Sequence, residues 1–193
     1  MPKANTVVVL DFETTGLSPN YGDRAIEIGA VRIKEGAITD HFQELMNPGR
    51  PIDSFIENYT SITNAMLKNA RPCKAVMSDF ADFMGNDNLV AHNASFDKRF
   101  LDAELRRVSK KYTGTFACSM LLARRLYQDA PNHKLSTLIR HTKIPSDGSF
   151  HRALYDSQMT AKLWLTMLDH INGHYGLSSI PFTLMQKITK TQK

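Results

Sequence analysis

The chain has 193 residues, 42% of them apolar and 22% charged, which suits one globular domain with a full-sized core. Its two cysteines, Cys73 and Cys118, lack metal-type spacing and argue against a disulfide scaffold or a zinc ribbon. No stretch approaches the roughly 18 consecutive apolar residues of a membrane helix. The opening text MPKANT carries no long apolar core of a secretory signal, so no membrane association and a cytoplasmic location with reduced thiols are expected. The formal net charge of +5 fits a polyanionic partner. The paired cations Lys98-Arg99, Arg106-Arg107, Lys110-Lys111 and Arg124-Arg125 also fit solvated helix faces, the favoured reading for Arg106, Arg107, Lys110 and Lys111.

Thr6 to Leu10 (TVVVL) reads as a buried strand, closed by the turn text Gly16-Leu17-Ser18-Pro19. Ala25 to Ile33 and Ile38 to Met46 read as two further strands, and the short polar Lys34-Glu35-Gly36 between them predicts a hairpin. Asn47-Pro48-Gly49-Arg50-Pro51 ends that unit. Helices are predicted over Thr63 to Asn69 and Lys74 to Met84, and a short strand over Asn88 to His92. Phe96, Phe100, Leu101, Leu105 and Val108 mark a helix from Ser95 to Lys110. Phe116 to Cys118 is a last candidate strand, and helices follow near Met120 to Tyr127, Leu135 to His141 and Ala153 to Ile171. The predicted organisation is a domain over residues 1–175 and an irregular basic tail over 176–193, with Lys187, Lys190 and Lys193 near its end. No internal repeat or linker is visible. The fold class is α/β, with an antiparallel hairpin on one side of a mixed sheet.

Asp-Phe-Glu at positions 11 to 13 follows the first strand, and residues two apart on extended chain share a face. Asp11 and Glu13 therefore sit side by side, where two ionised carboxylates repel and a divalent cation relieves the repulsion. By itself the pair also fits a solvated turn. Asp97 and Asp156 open helices, where acids are favoured by the helix dipole, so each has a structural reading as well as a functional one. His151 precedes Asp156 by five positions, in a loop after Asp147-Gly148-Ser149.

Together the segments DFETTG, HNASFD and HRALYD resemble the DEDDh (DnaQ-like) exonucleases of the ribonuclease H-like superfamily, which include the proofreading subunits of DNA polymerase III and ribonuclease T. The resemblance covers roughly residues 6–172. It implies a mixed five-stranded sheet flanked by helices, with Asp11, Glu13, Asp97 and Asp156 as metal ligands and His151 as general base. Related enzymes of the tyrosine type carry a Tyr four residues before the last Asp. Here that position is Arg152, and Tyr155 does not fit the role. All-oxygen ligation suits Mg²⁺ or Mn²⁺, two ions per site. Such a pair, about 3.5–4 Å apart, activates water and stabilises a leaving oxygen. The unperturbed pKa of His, near 6.5, suits a base at neutral pH.

The resemblance also implies substrate contacts. Thr14, Thr15, Gly16 and Leu17 would grip the terminal nucleotide, with Glu13 on its 3′ hydroxyl, and Asn93 and Phe96 would shape the cleft. For Phe96, packing against Phe100 is the competing reading. Ile62 is the candidate wedge between the last two bases, although Ser61 stands where the family usually has Gly. His133 and Lys134 either contact phosphate or belong to an exposed loop. The implied activity is a metal-dependent 3′→5′ exonuclease on single-stranded 3′ ends, DNA favoured, releasing nucleoside 5′-monophosphates, with DNA polymerase association possible. RNA 3′-end trimming of the ribonuclease T or oligoribonuclease kind is the alternative within that class. A non-catalytic nucleic-acid or polymerase-binding module is the alternative outside it. Because the text ends about 20 residues past the last predicted helix, a stand-alone nuclease or a short homologue is expected. Oligomeric state is left open.

Overall fold

A computed structural model describes residues 1–177 and 179–191. Six strands form one sheet in the order β4-β3-β2-β1-β5-β6. They are β1 (Val7–Thr14), β2 (Ala25–Lys34), β3 (Ala37–Asn47), β4 (Arg71–Pro72), β5 (Leu89–Ala91) and β6 (Phe116–Cys118). β1, β2 and β3 pair antiparallel in sequence, while β5 runs parallel to β1, β6 to β5 and β4 to β3. The predicted five strands become six because two-residue β4 adds an edge strand, too short to leave an alternation signal. The hairpin forms as expected. Glu35 and Gly36 are its two turn residues, both at positive φ, as the twist of a tight hairpin requires.

Helices cover both faces. On one lie α3 (Cys73–Met84) and α4 (Ala94–Arg107), packed on Val8, Leu10, Phe12, Ile28 and Ala30. On the other lie α5 (Ser119–Leu126), α6 (Leu135–His141), α7 (Ala153–Tyr175) and α8 (Phe182–Lys190), packed on Val7, Val9, Val31 and Ile33. The short helices α1 (Ser54–Thr60) and α2 (Asn64–Lys68) close a smaller cluster of Ile26, Ile52, Ile62 and Leu67. Strand side chains alternate in direction, so the odd-numbered positions of β1 and β2 belong to the α7 face. Trp164 of α7 is fully buried on that face, and its Nε1 donates to the Ala4 carbonyl at 2.8 Å, anchoring the N-terminus.

One expectation needs correction here. The predicted irregular tail over 176–193 is, within the described residues, largely helix α8, whose Phe182 and Met185 are buried in the same core as Trp164. A nine-residue helix with only a few apolar side chains carries a weak periodic signal, and its order comes from tertiary packing. Lys193 lies outside the described residues. The short helix α1 carries no clear periodic signal, because Ser54-Phe55-Ile56-Glu57-Asn58-Tyr59-Thr60 exposes its aromatic side chains instead of burying a stripe.

Candidate active site

β1 is longer than TVVVL suggests and runs through Asp11 and Glu13 to Thr14. The two acids therefore extend from strand backbone already paired with β2, Asp11 opposite Gly29 and Glu13 opposite Glu27. They continue the row begun by Val7 and Val9 and face the start of α7, which carries Asp156 in its first turn. Gly29 makes that approach possible: a Cβ there would lie 2.1 Å from the backbone of Ala153 and Leu154. Ligand oxygens of Asp11, Glu13 and Asp156 fall within 4.8 Å of one another.

Asp97 comes from the opposite helix layer, in the first turn of α4. Its Oδ1 accepts the Phe12 N–H at 3.2 Å, and the side chain is buried. It stands beside the group of three and not within it, close enough for its charge to act on Asp11 and Glu13.

Burial and mutual repulsion raise the proton affinity of all four acids. Asp11 is pushed well above the usual carboxylate range, first by burial and then by Asp97, Glu13 and Asp156. Burial, Asp156 and Glu27 push Glu13 up to about 8, opposed by the Arg152 charge. Burial raises Asp97 to about 7 against the Phe12 hydrogen bond, and burial raises Asp156 to about 6 against the His151 N–H. At neutral pH such a group cannot be fully ionised without added positive charge. Asp156 Oδ1 is buried and has no hydrogen-bond partner, while Oδ2 accepts the His151 N–H at 3.0 Å. A buried oxygen without a donor, beside two more carboxylates, is what a hard cation would satisfy, so the donor set fits Mg²⁺ or Mn²⁺.

His151 is exposed at the cleft mouth, with its backbone at φ +71°. Partial desolvation lowers its proton affinity, which favours the neutral imidazole. Its ring lies 4.1 Å from that of Tyr59, and Tyr59 stacks at 5.9 Å on Phe55 with 10° between planes. Both tyrosine and phenylalanine are exposed, at 51% and 69%. Tyr155 leaves the site: its hydroxyl pairs with Ser146 Oγ and accepts the Asp147 N–H, tying down the loop ahead of His151.

The substrate residues expected from the sequence divide. Thr14, Thr15, Gly16 and Leu17 form a tight loop at the end of β1. Thr14 Oγ1 donates to the Gly16 carbonyl at 2.7 Å, and Thr15 N donates to the Arg24 carbonyl at 2.9 Å. A Cβ on Gly16 would meet the Asp23 carboxylate at 2.6 Å, so a larger residue there would displace that side chain from the loop. Leu17 projects from its tip, 79% exposed. Asn93 is exposed, in left-handed conformation at the start of α4. Phe96 is half-buried against Phe100, 5.0 Å between ring centres, in the core of the α3–α4 face. Ile62 needs correction as a wedge, because it has no exposed surface and packs with Ile26, Ile52 and Leu67. Ser61 adopts φ +59°, ψ +15° at the end of α1, the conformation for which glycine is preferred. That bend turns Ile62 inward and leaves Tyr59 on the cleft side.

Asp11 and Asp156 line a cleft of about 1010 Å³ whose walls also include Arg124, His133 and Lys134. His92 ties that wall to the sheet. Its Nδ1 pairs with Ser119 Oγ and its Nε2 with the His133 carbonyl, both at 2.9 Å, and burial pushes it down to about 4. The sequence marked neither His92 nor Tyr59. The available signal was Tyr59 and Phe55 at helical spacing, with Ile56 beside them.

The model of the exonuclease family RNase_T matches residues 8–164. The chain belongs to that family. More narrowly, it is a DnaQ-like exonuclease. PolC-type DNA polymerase III of Caldanaerobacter subterraneus subsp. tengcongensis is 38% identical over 188 residues, 96% of this chain and 13% of that protein. The Bacillus subtilis PolC-type polymerase is 42% identical over 165 residues, 84% of this chain and 11% of that protein. The chain thus spans only a small part of these curated relatives. Among solved structures, exonuclease X in complex with 5′ overhanging duplex DNA superposes with a TM-score of 0.73 at 29% identity, covering 95% of this chain and 99% of that one. The nuclease domain of 3′hExo, a DEDDh family member bound to rAMP, has the same fold at 22% identity, TM-score 0.70, covering 86% of this chain and 92% of that one.

Proposed function

We propose that this exonuclease hydrolyses single-stranded nucleic acid from the 3′ end, DNA in preference to RNA, and releases nucleoside 5′-monophosphates using two divalent ions and His151 as general base. The observation that carries the metal-dependent reading is the convergence of Asp11, Glu13 and Asp156 within 4.8 Å, with one Asp156 oxygen buried and unpartnered. Asp11, Glu13 and Asp156 would hold the cations, with Asp97 completing the cage from α4. Bound there, Mg²⁺ or Mn²⁺ would supply the positive charge that eases ionisation of an attacking water and stabilises the leaving 3′ oxygen. Neutral His151, at the cleft mouth beside Asp156, accepts a proton from that water. Glu13 also receives the terminal 3′ hydroxyl. The Thr14–Leu17 loop and Asn93 hold the last nucleotide, while Arg124 and Lys134 face the strand's phosphates across the cleft.

DNA is favoured because the relatives of about 40% identity are DNA polymerases and the 29%-identical exonuclease X binds DNA. The same relatives support work alongside a DNA polymerase III, and proofreading or repair in the cytoplasm is proposed with it. No described helix is long and apolar enough to cross a membrane. The test is parallel digestion of matched single-stranded DNA, single-stranded RNA and mismatched duplex ends, with Mg²⁺ and with Mn²⁺. Single-stranded DNA should be shortened from its 3′ end fastest, to deoxynucleoside 5′-monophosphates. Faster loss of RNA would overturn the DNA preference in favour of RNA trimming. Bound but intact oligonucleotide would leave only a binding module.

A further inference from the structure

We propose that Glu27 and Arg152 form a clamp that holds His151 in its left-handed backbone conformation, which makes both of them positioning residues for the base. The inference rests on the reading of His151 as the proton acceptor. Glu27 lies on the odd face of β2, opposite Glu13, and is fully buried. Its carboxylate accepts four hydrogen bonds. Oε2 takes Arg152 Nε at 3.1 Å and Ala153 N at 3.0 Å, and Oε1 takes Arg152 Nη2 at 2.8 Å and Gln43 Nε2 at 3.0 Å.

An apolar side chain would pack a helix on a sheet at least as well, and a buried ion pair is weak evidence for stability. Placing another acid beside Glu13 also adds repulsion to a crowded cage. The charge must therefore do something packing cannot, and its donors indicate what. Three of the four come from Arg152 and Ala153, the two residues that follow His151.

His151 is at φ +71°, a region that costs a non-glycine residue about 1–3 kcal/mol unless its surroundings impose it. The constraint comes from both sides. Asp156 Oδ2 takes the His151 N–H, and Glu27 takes the guanidinium and the amide of the next two residues. With residue 152 turned inward to Glu27, residue 151 is left at the cleft. Glutamine at position 27 would present an amide donor to Arg152, whereas lysine at 152 would keep the charge and lose the fork.

The experiment is a double-mutant cycle on single-stranded DNA with Mg²⁺, using E27Q, R152Q and R152K in native and H151A backgrounds. In the native background E27Q and R152Q should lower kcat about 10–100-fold, the scale seen when an orienting partner is removed. At saturating Mg²⁺, KM should stay within about twofold, with partial rescue by R152K. In the H151A background the same substitutions should have almost no effect, because the residue they aim is gone. Additive losses, or a loss carried by KM, would overturn the clamp. If E27Q does not fold, R152Q, whose side chain is 37% exposed, carries the test.

Imidazole ¹H–¹⁵N spectra of the metal-free protein give a readout independent of activity. One set of His151 ring signals is expected in the native protein, and broadened or doubled signals in R152Q. Unchanged spectra would overturn the clamp as well. Were H151A to cleave at the native rate, the proton-transfer reading would fall, while the ring spectra would still decide the clamp.

Discussion

On the even face of β1, Val8, Leu10 and Phe12 run unbroken into the apolar layer under α3 and α4, whereas the odd face begins with Val7 and Val9 and then turns to Asp11 and Glu13. The same backbone thus carries a packing row and a row that changes from packing to chemistry after residue 9. The first keeps the strand end rigid enough for the second to hold repelling charges close together. Stability and activity should therefore separate by face. Asp11→Asn is expected to lower cleavage about 10³-fold or more, the several kcal/mol of cation-borne stabilisation lost with a ligand. The same change should raise the thermal midpoint of the metal-free protein at pH 8, since it removes one of the mutually repelling acids from the buried cage. Phe12→Ala, one residue away, should cost about 3–5 kcal/mol of folding stability. Calorimetry beside a nuclease assay would break the comparison if the two variants moved stability in the same direction.

The difference between faces also predicts how pH acts. Folded Glu13, Asp97 and Asp156 bind protons more tightly than the unfolded chain, at about 8, 7 and 6 against ordinary carboxylate values near 4. Between pH 4 and 8 the native state then holds more protons, and stability must fall as pH rises through those values. His151 has the opposite sign, with its lowered affinity weakening the fold only below about pH 6.5. In chelator, the melting midpoint should drop between pH 5.5 and pH 8.5. Each kcal/mol corresponds to about 2–4 °C for a chain of this size. Added Mg²⁺ should recover more at pH 8 than at pH 6, because it replaces protons already lost. Equal Mg²⁺ shifts at the two pH values would contradict the cage electrostatics.

How much of this was legible in the sequence follows from the range of each signal. Strand alternation and helix periodicity are local, so β2, β3, β6 and α3 to α7 could be placed within a few residues. The odd-face position of Asp11 and Glu13 came from the same period of two. That Asp156 and His151 meet them depended on family motifs, because no local pattern brings residue 156 to residue 11. Glu27 was visible only as a charge inside an apolar strand, and its meaning required Arg152, 125 positions away. Ile62 shows the opposite failure. Its motif position suggested an exposed wedge, but tertiary packing with Ile26, Ile52 and Leu67 places it inside. Tyr59 took the cleft-facing place because the α1 helix, unread from sequence, sets its direction.

Ser61 is where the two regions around the cleft can be adjusted most gently. It ends α1 at φ +59°, beyond which the chain turns Ile62 into the core and leaves Tyr59 over His151. A serine in that region carries roughly 1 kcal/mol of strain that glycine lacks, while glycine gains entropy in the unfolded chain. The terms nearly offset, so Ser61→Gly should change stability by no more than about 1 kcal/mol, in the stabilising direction if relief of strain dominates. Because the bend itself is kept, cleavage of single-stranded DNA should stay near the native rate. Ser61→Val places a β-branched side chain in the same conformation and should lower the melting midpoint. It should also disturb the Tyr59–His151 contact, and so reduce kcat as well. If valine at 61 melted lower but cleaved at the native rate, the bend would serve only the Ile62 cluster, and the aromatic wall of the cleft would be independent of it.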